Sequence, residues 1–429
     1  MGTAVGLDFG TTNSAIGVTL SDGSASLATF KSGGSDFSTV RSLLYFSYQE
    51  KNQQKSAKPF VGREAIEQYL ESDTKGRLVQ SVKSYLASRQ FTQTQIFGRN
   101  YTLEELIAFI LKFMRTSAEQ QFGNVGETVV LGRPVRFAGA RTEEDEEFAL
   151  SRLRAAAELA GFKKIFFELE PIAAAYEYEK QLQRDELVMI ADFGGGTSDF
   201  TLINLGPNRA AGSDRHKDVI GSSGVGIAGD AFDGKLVRHV VAPKLGLGSF
   251  YHSLGKDLPV PAWLFTKFES WHTVSFLNTA QTLRVIRDVK VQALEPKKIE
   301  ELMHIVRNDL GFNLYRAVEE TKLKLSTTET AGFRYHDSHV DMTETIPRLQ
   351  FEKWIDHDIR KIAGCVDELL TRCEVSPLDV SSVFLTGGAS FVPKVRKLFV
   401  DRFGEDRLRG GEEFTSVAKG LALCAADKS

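Results

Sequence analysis

Two stretches of this chain repeat one pattern. Gly6-Leu7-Asp8-Phe9-Gly10 returns as Ile190-Ala191-Asp192-Phe193-Gly194. Each apolar run ends in Asp-Phe-Gly, passes through small residues with hydrogen-bonding groups, and leads into a second apolar run. The full stretches are VGLDFGTTNSAIGV at 5–18 and LVMIADFGGGTSDFTLINL at 187–205. Apolar run, glycine turn and apolar run read as two strands joined by a tight turn. A shared Asp-Phe-Gly alone would be weak, but the shared strand-turn-strand context implies a duplicated unit. With 429 residues the chain is too long for one ordinary core, so two or more domains are expected.

The segments between the echoes support an α/β architecture. Thr102 with Glu105 makes a capping box that opens a helix stopping near Gly123. ETVVLGRPV then reads as a buried strand, Thr142 with Asp145 opens a helix running to Gly161, and IFFELEP returns as a strand. Such alternation indicates helices packed on a mostly parallel sheet. Residues 261–325 read as mainly helical, with Pro259, Pro261 and Pro296 as punctuation, and SSVFLTGGASFVPKVRKLF reads as strand, double glycine and helix. The expected division is 1–186 and 187–429, with a helical insertion at about 243–310 in the second half.

The turns point to a ligand. Backbone N–H groups bind phosphate oxygens well where no side chain blocks approach, so glycine turns are suitable cradles. Thr and Asn add further donors. Two such turns, one from each half, would hold a triphosphate between them. Asp8 and Asp192 sit just ahead of the turns and Asp199 lies two residues after Thr197. Carboxylates facing a phosphate make sense only with a metal between them or a water to orient. The Mg²⁺ that travels with a triphosphate takes one or two carboxylates and keeps several waters. A plain tight hairpin explains one such turn equally well; it does not explain two matched turns, each led by Asp.

Other patterns fit less well. Asp-Phe-Gly also occurs in protein kinases, but there is no H-R-D loop and the glycines lie in the wrong order. Gly224-Val225-Gly226-Ile227-Ala228-Gly229 fits G-x-G-x-x-G without the expected βαβ context. It reads instead as the approach to a helix starting near Asp230, with free N–H groups near the phosphates. No G-x-x-x-x-G-K-[ST] is present. The net charge of -3 gives no support for a nucleic-acid surface. Cys365, Cys373 and Cys424 have neither C-x-x-C nor zinc spacing. They read as idle thiols in a reducing cytoplasm, and no signal peptide or membrane span is read.

The motifs resemble those of the Hsp70 chaperones, within the actin/hexokinase/Hsp70 superfamily. The two Asp-led stretches resemble the family's two phosphate loops. Glu170-Pro171-Ile172-Ala173-Ala174-Ala175 resembles its connecting segment, RLQFEKW at 348–354 the segment before the adenosine loop, and Phe384-Leu385-Thr386-Gly387-Gly388-Ala389-Ser390 that loop itself. The resemblance implies a duplicated actin-like, RNase H-like fold of two lobes with ATP or ADP and Mg²⁺ in the cleft between them. It implies that Gly10, Thr11, Thr12 and Asn13 hold the β- and γ-phosphates. Asp8, Asp192 and Asp199 would act on the Mg²⁺ shell and the attacking water. Thr197 would lie beside the γ-phosphate, Glu170 would orient water or metal, and Gly194, Gly195, Gly196 and Gly226 would give backbone contacts. Lys83, in SVKSYLAS, matches the catalytic lysine, with a solvated surface lysine as the alternative. Glu319, Lys322 and Ser326 match the adenosine-contacting helix, and Gly387, Gly388 and Ser390 the adenosine loop.

Two positions depart from the pattern. Leu323 and Phe391 stand where the family usually has arginines at the base, and guanidinium planes stack well on purines. Little sequence follows the adenosine loop, so a chain without the family's peptide clamp is expected. It is similar here to the short YegD-type Hsp70-like proteins. The expectation is a slow Mg²⁺-dependent ATPase whose lobe movement is read by a protein partner. The alternatives are a nucleotide-sensing scaffold without turnover, an actin-like filament former, and a small-molecule kinase for which no sugar pocket or catalytic aspartate can be placed.

Overall fold

Both expected hairpins form, and each becomes the centre of a sheet. In the computed structural model Val5–Phe9 pairs antiparallel with Asn13–Thr19, and Glu186–Phe193 with Ser198–Leu205. On the other side of each leading strand lies a parallel neighbour, Thr128–Arg133 in the first sheet and Ser382–Thr386 in the second. Lys164–Leu169 and Leu408–Arg409 extend those edges, while Ala25–Leu27 and Val219–Val225 extend the hairpin edges. The two sheets therefore share one strand order, as a duplication requires. Described residues are 4–428 apart from 33–34, 52–53, 72–75, 209–214, 270–273, 275–276, 309 and 410–415.

The helices start where their caps put them. Thr102 accepts from the Glu105 amide and Glu105 returns the bond to the Thr102 amide, opening Leu103–Phe122. Thr142 and Asp145 do the same for Glu143–Leu159. A capping box satisfies two amides that a helix start otherwise leaves unpaired. Both helices bury apolar faces against the first sheet, in a core that includes Val5, Leu7, Leu106, Leu111, Leu131 and Leu153. The second sheet has its own core, including Met189, Phe193, Phe200, Phe232 and Phe399.

Chain order departs from the expected division at two places. Helix Glu170–Glu179 sits between the sheets: Ile172 and Ala175 pack on Val188, Ile190 and Ile203 of the second. Ala173, on its other side, packs with Val130 of the first sheet and Leu421. Helix Ser416–Asp427, assigned by sequence to the second half, lies instead on the first sheet. A Cβ on Gly6 would stand 2.0 Å from the Ala422 nitrogen, and one on Gly17 2.5 Å from the Ala418 oxygen. At the helix crossing, a Cβ on Gly420 would stand 1.9 Å from the Ala173 carbonyl. These contacts are backbone on backbone, which apolar periodicity cannot signal.

The insertion is only partly helical. Ala280–Gln292 and Pro296–Arg307 are helices, but Phe250–Ser253 and Lys256–Pro259 form a hairpin. Its turn, Leu254-Gly255, has φ of 51° and 76°. Leucine is a poor choice at positive φ, so the sequence carries little turn signal at this position. No helix among the described residues is long and apolar enough to cross a membrane.

Candidate functional site

A cleft of about 1140 Å³ opens where the two hairpin turns face each other. Asp8 is the penultimate residue of its strand, and Gly10, Thr11, Thr12 and Asn13 follow it along the wall. The Gly10 amide donates to Ser14 Oγ at 3.2 Å, which shapes the turn. From the second sheet come Asp192 and the turn Gly194-Gly195-Gly196-Thr197, closed by the Gly194 amide on the Thr197 carbonyl at 2.9 Å. The turns approach closely: a Cβ on Gly195 would stand 2.4 Å from Thr12 Oγ1. Only glycine leaves that space open.

The floor is acidic. Asp192 and Asp199 stand directly opposite each other on neighbouring antiparallel strands. Burial, then the charge of Asp192, pushes the Asp199 carboxyl up to about 6, although Thr197 Oγ1 donates to its Oδ2 at 3.0 Å. Asp192 is also held above the usual carboxylate range by burial, against a 2.7 Å hydrogen bond from Thr386 Oγ1 to its Oδ1. Burial, then Glu170, pushes Asp8 up to about 7. Lys83 is the cation among them. Its Nζ stands 2.8 Å from Glu170 Oε1, with both side chains largely shielded from solvent. Burial alone would lower its pKa, but Glu170, Asp8 and Asp192 outweigh that and hold it above the ordinary lysine value. The surface reading of Lys83 is therefore excluded.

The far end of the cleft is built by helix Gly311–Thr327 and the loop after Ser382–Thr386. Glu319, Lys322 and Leu323 line it from the helix, and Gly387 and Gly388 from the loop. Gly387 has φ 82°, and a Cβ there would stand 2.0 Å from the Phe193 carbonyl, so the loop needs glycine at that point. Lys322 Nζ pairs with Asp233 Oδ2 at 2.6 Å. Glu319 pairs with Arg41, on a strand added to the first sheet, at 2.7 Å across the cleft. Gly226 also lines the cleft.

Three expectations take a different form. Ser326 and Ser390 are not among the cleft-lining residues. Ser326 Oγ donates to the Lys322 carbonyl one helical turn back, and Ser390 Oγ, buried, donates to the Gly387 carbonyl at 2.6 Å. The helix expected near Asp230 does form, as Gly229–Leu236, but the Asp230 amide is not free: it donates to the Gly195 carbonyl at 2.8 Å. Sequence reasoning missed Thr386, Arg41, Arg63 and Asp233. Thr386 stood in a quoted motif directly before Gly387; the other three carried no local signal.

The Hsp70 protein family model matches residues 45–244 and 297–427. The chain belongs to the Hsp70 family. Its fold is the Hsp70 ATPase-domain fold of the actin-like superfamily. It is similar to the "Chaperone protein DnaK" of Thermosipho africanus, 27% identical over 424 residues, covering 98% of this chain and 58% of that protein. It is similar in the same way to the DnaK of Thermosipho melanesiensis, at 27% over 425 residues with 98% and 59% covered. The DnaK of Thermotoga petrophila is 26% identical over 424 residues, again with 98% and 59% covered. The chain thus spans under two thirds of the length of these curated relatives. Within the Hsp70 frame, Leu323 lines the cleft with 57% of its surface exposed, whereas Phe391, 50% exposed, is not among the lining residues.

Proposed function

We propose that the cleft binds ATP with Mg²⁺ and hydrolyses it slowly, and that the angle between the two halves is the output. The observation that carries this is the meeting of the turns. Thr12 Oγ1 is buried without a hydrogen-bond partner among the described residues, and it faces the space that glycine leaves at position 195. An unpaired buried hydroxyl beside two glycine turns suits the oxygens of a phosphate chain. The acidic floor suits a hard divalent cation: its carboxyls titrate high because they are buried and crowd one another, and oxygen donors are what Mg²⁺ takes. Asp8 and Asp192 would hold it, through water. Bound with the nucleotide, Mg²⁺ would offset the negative charge of the phosphates.

The chain's own residues do the positioning. Gly10, Thr11, Thr12, Asn13 and the turn 194–197 wrap the phosphates from both sides. Lys83, kept cationic by its carboxylate neighbours, faces the terminal phosphate oxygens. Glu170, fixed by Lys83, orients the attacking water. Asp199, with Oδ2 held by Thr197 and a pKa of about 6, is poised to accept a proton near neutrality. Catalysis of this kind rests on placement and charge stabilisation. Gly226, Glu319, Lys322, Gly387 and Gly388 form the nucleoside end, with Leu323 offering apolar contact in place of a guanidinium. The relatives are chaperones by name; for this chain we propose only a protein partner that reads the lobe movement, in the cytoplasm.

Single-turnover hydrolysis tests this, with excess protein and trace γ-labelled ATP, first with Mg²⁺ and then with EDTA. Slow, complete, metal-dependent release is expected, and Asp192→Asn should abolish most of it. Unchanged release in that variant would overturn the assignment. A second reading, sensing without turnover, has one observation in its favour: the Lys83 ammonium is tied to Glu170 rather than left free. Binding without release would select it.

A further inference from the structure

Away from the cleft, two histidines and an aspartate converge from separate elements. His304 lies in the last turn of helix Pro296–Arg307. Asp337 and His339 lie in the loop between strands Thr330–His336 and Asp341–Pro347. One ligand atom from each falls within 4.8 Å of the others. None of the three lines the cleft.

We propose that His304, Asp337 and His339 form a second metal site, selective for a borderline divalent ion such as Zn²⁺. Two imidazoles and one carboxylate with room for water are the donor set that Zn²⁺ takes, whereas Mg²⁺ prefers oxygen alone. The geometry is largely in place. Asp337 Oδ1 accepts the amides of His339 and Val340 at 2.7 and 2.8 Å, which fixes the loop. That leaves Oδ2 directed at His304 Nε2, 3.2 Å away, with the Tyr335 hydroxyl donating to it at 2.8 Å. The His339 ring lies over that of His304, with centroids 4.3 Å apart and planes at 26°. His339 Nδ1 also meets Ser338 Oγ at 2.7 Å, a contact that a metal on that nitrogen would replace and a metal on Nε2 would keep.

Closing the site takes small movements. Donors around a tetrahedral Zn²⁺ at about 2.1 Å stand roughly 3.4 Å apart, so the exposed loop carrying His339 must move by about 1 Å. His304 Nδ1 faces Asn308 Nδ2 at 3.0 Å, so its proton sits on Nε2 and goes to Asp337. On metal binding a metal–nitrogen bond replaces that N–H and the proton passes to Nδ1, so the ring stays a neutral imidazole. The new Nδ1–H displaces the exposed Asn308 amide, which also donates to the His304 carbonyl at 3.0 Å, and donates to water. The occupied site would fasten helix Pro296–Arg307 to the hairpin that follows the cleft-lining helix.

The test uses the full chain without a histidine tag, stripped with EDTA and free of nucleotide. Zn²⁺ binding is measured by calorimetry and Co²⁺ binding by visible absorption. We expect one ion per chain with a Kd of roughly 1 µM, and the intense bands of low-coordinate Co²⁺. His339→Ala, an exposed loop position, should weaken Zn²⁺ binding at least about tenfold, and His304→Ala similarly. Zn²⁺ should raise the melting temperature of the wild type and not that of His339→Ala. Binding that survives in both variants would overturn the proposal. So would the lack of any Zn²⁺ heat or Co²⁺ band at about 1 mM metal, far above the expected Kd.

Discussion

Thr386 holds Asp192 through a single hydroxyl, and its loss should be felt in the chemistry. Thr386→Val keeps the shape and removes the donor, leaving Asp192 harder to ionise. Hydrolysis in single turnover should fall about tenfold, the size of one hydrogen bond to a charged group. Asp233 gives a separate pH signature. Burial holds it at about 7, against the pull of Lys322, with Glu319 and Asp230 pushing the same way, while an ordinary aspartate titrates near 3.8. The folded chain therefore binds this proton more tightly than the unfolded chain. That contribution to stability is complete below about pH 4 and is lost as pH rises through about 7. Between about pH 5 and pH 8 the ligand-free wild type should lose melting temperature relative to Asp233→Asn, by roughly 2–5 °C. Scanning calorimetry across that range checks it; parallel slopes would show that Asp233 does not titrate there. The two residues also mark the edge of legibility. Asp8, Asp192 and the glycines were readable because their chemistry is local. The partners of Thr386 and Asp233 lie across a parallel register and a helix contact, which spacing along the chain does not reveal.

Lys83 depends on its segment being placed, and that task falls to a neighbouring helix. Arg152, buried on Glu143–Leu159, donates to the carbonyls of Tyr85 and Ser88 at 3.3 and 3.2 Å and of Phe91 at 3.1 Å, and pairs with Glu104. The segment enters through Ser81 at φ 55°, a conformation that non-glycine residues adopt only when held. Arg152→Met should cost about 2–3 kcal/mol, because it removes a buried guanidinium that holds a half-buried carboxylate and three carbonyls. It should lower the hydrolysis rate more than nucleotide affinity, because Lys83 shifts while the phosphate turns stay. Thermal melts and single-turnover rates on the same variant separate these effects. Elements were readable in proportion to how close their signals lie. The two capping boxes sit within four residues and read correctly. The hairpin turning at Leu254-Gly255 did not, because leucine occupies a left-handed position that normally signals itself with Gly or Asn.

Across the cleft the two halves touch through Arg41–Glu319 and through Tyr69 edge-on to Phe312, at 6.1 Å between centroids. The ion pair is partly exposed, so it is worth at most about 1 kcal/mol. Arg41→Ala should therefore speed nucleotide release by roughly threefold and leave the melting temperature nearly unchanged. Stopped-flow displacement of a fluorescent ATP analogue would show it; unaltered release would place the rate-limiting opening elsewhere. The duplication itself was legible from the Asp-Phe-Gly echo, since both copies keep the same strand-turn-strand order. The assignment of the last helix was not, because its contacts at Gly6, Gly17 and Gly420 are made by main chain. That contact reaches back over some four hundred positions and carries a consequence for synthesis. As the polypeptide emerges from the ribosome, the face of the first hairpin stays bare until Ser416–Asp427 has been made. The first half can collapse early but cannot finish until that helix has been made, so its completion waits on synthesis of the second half.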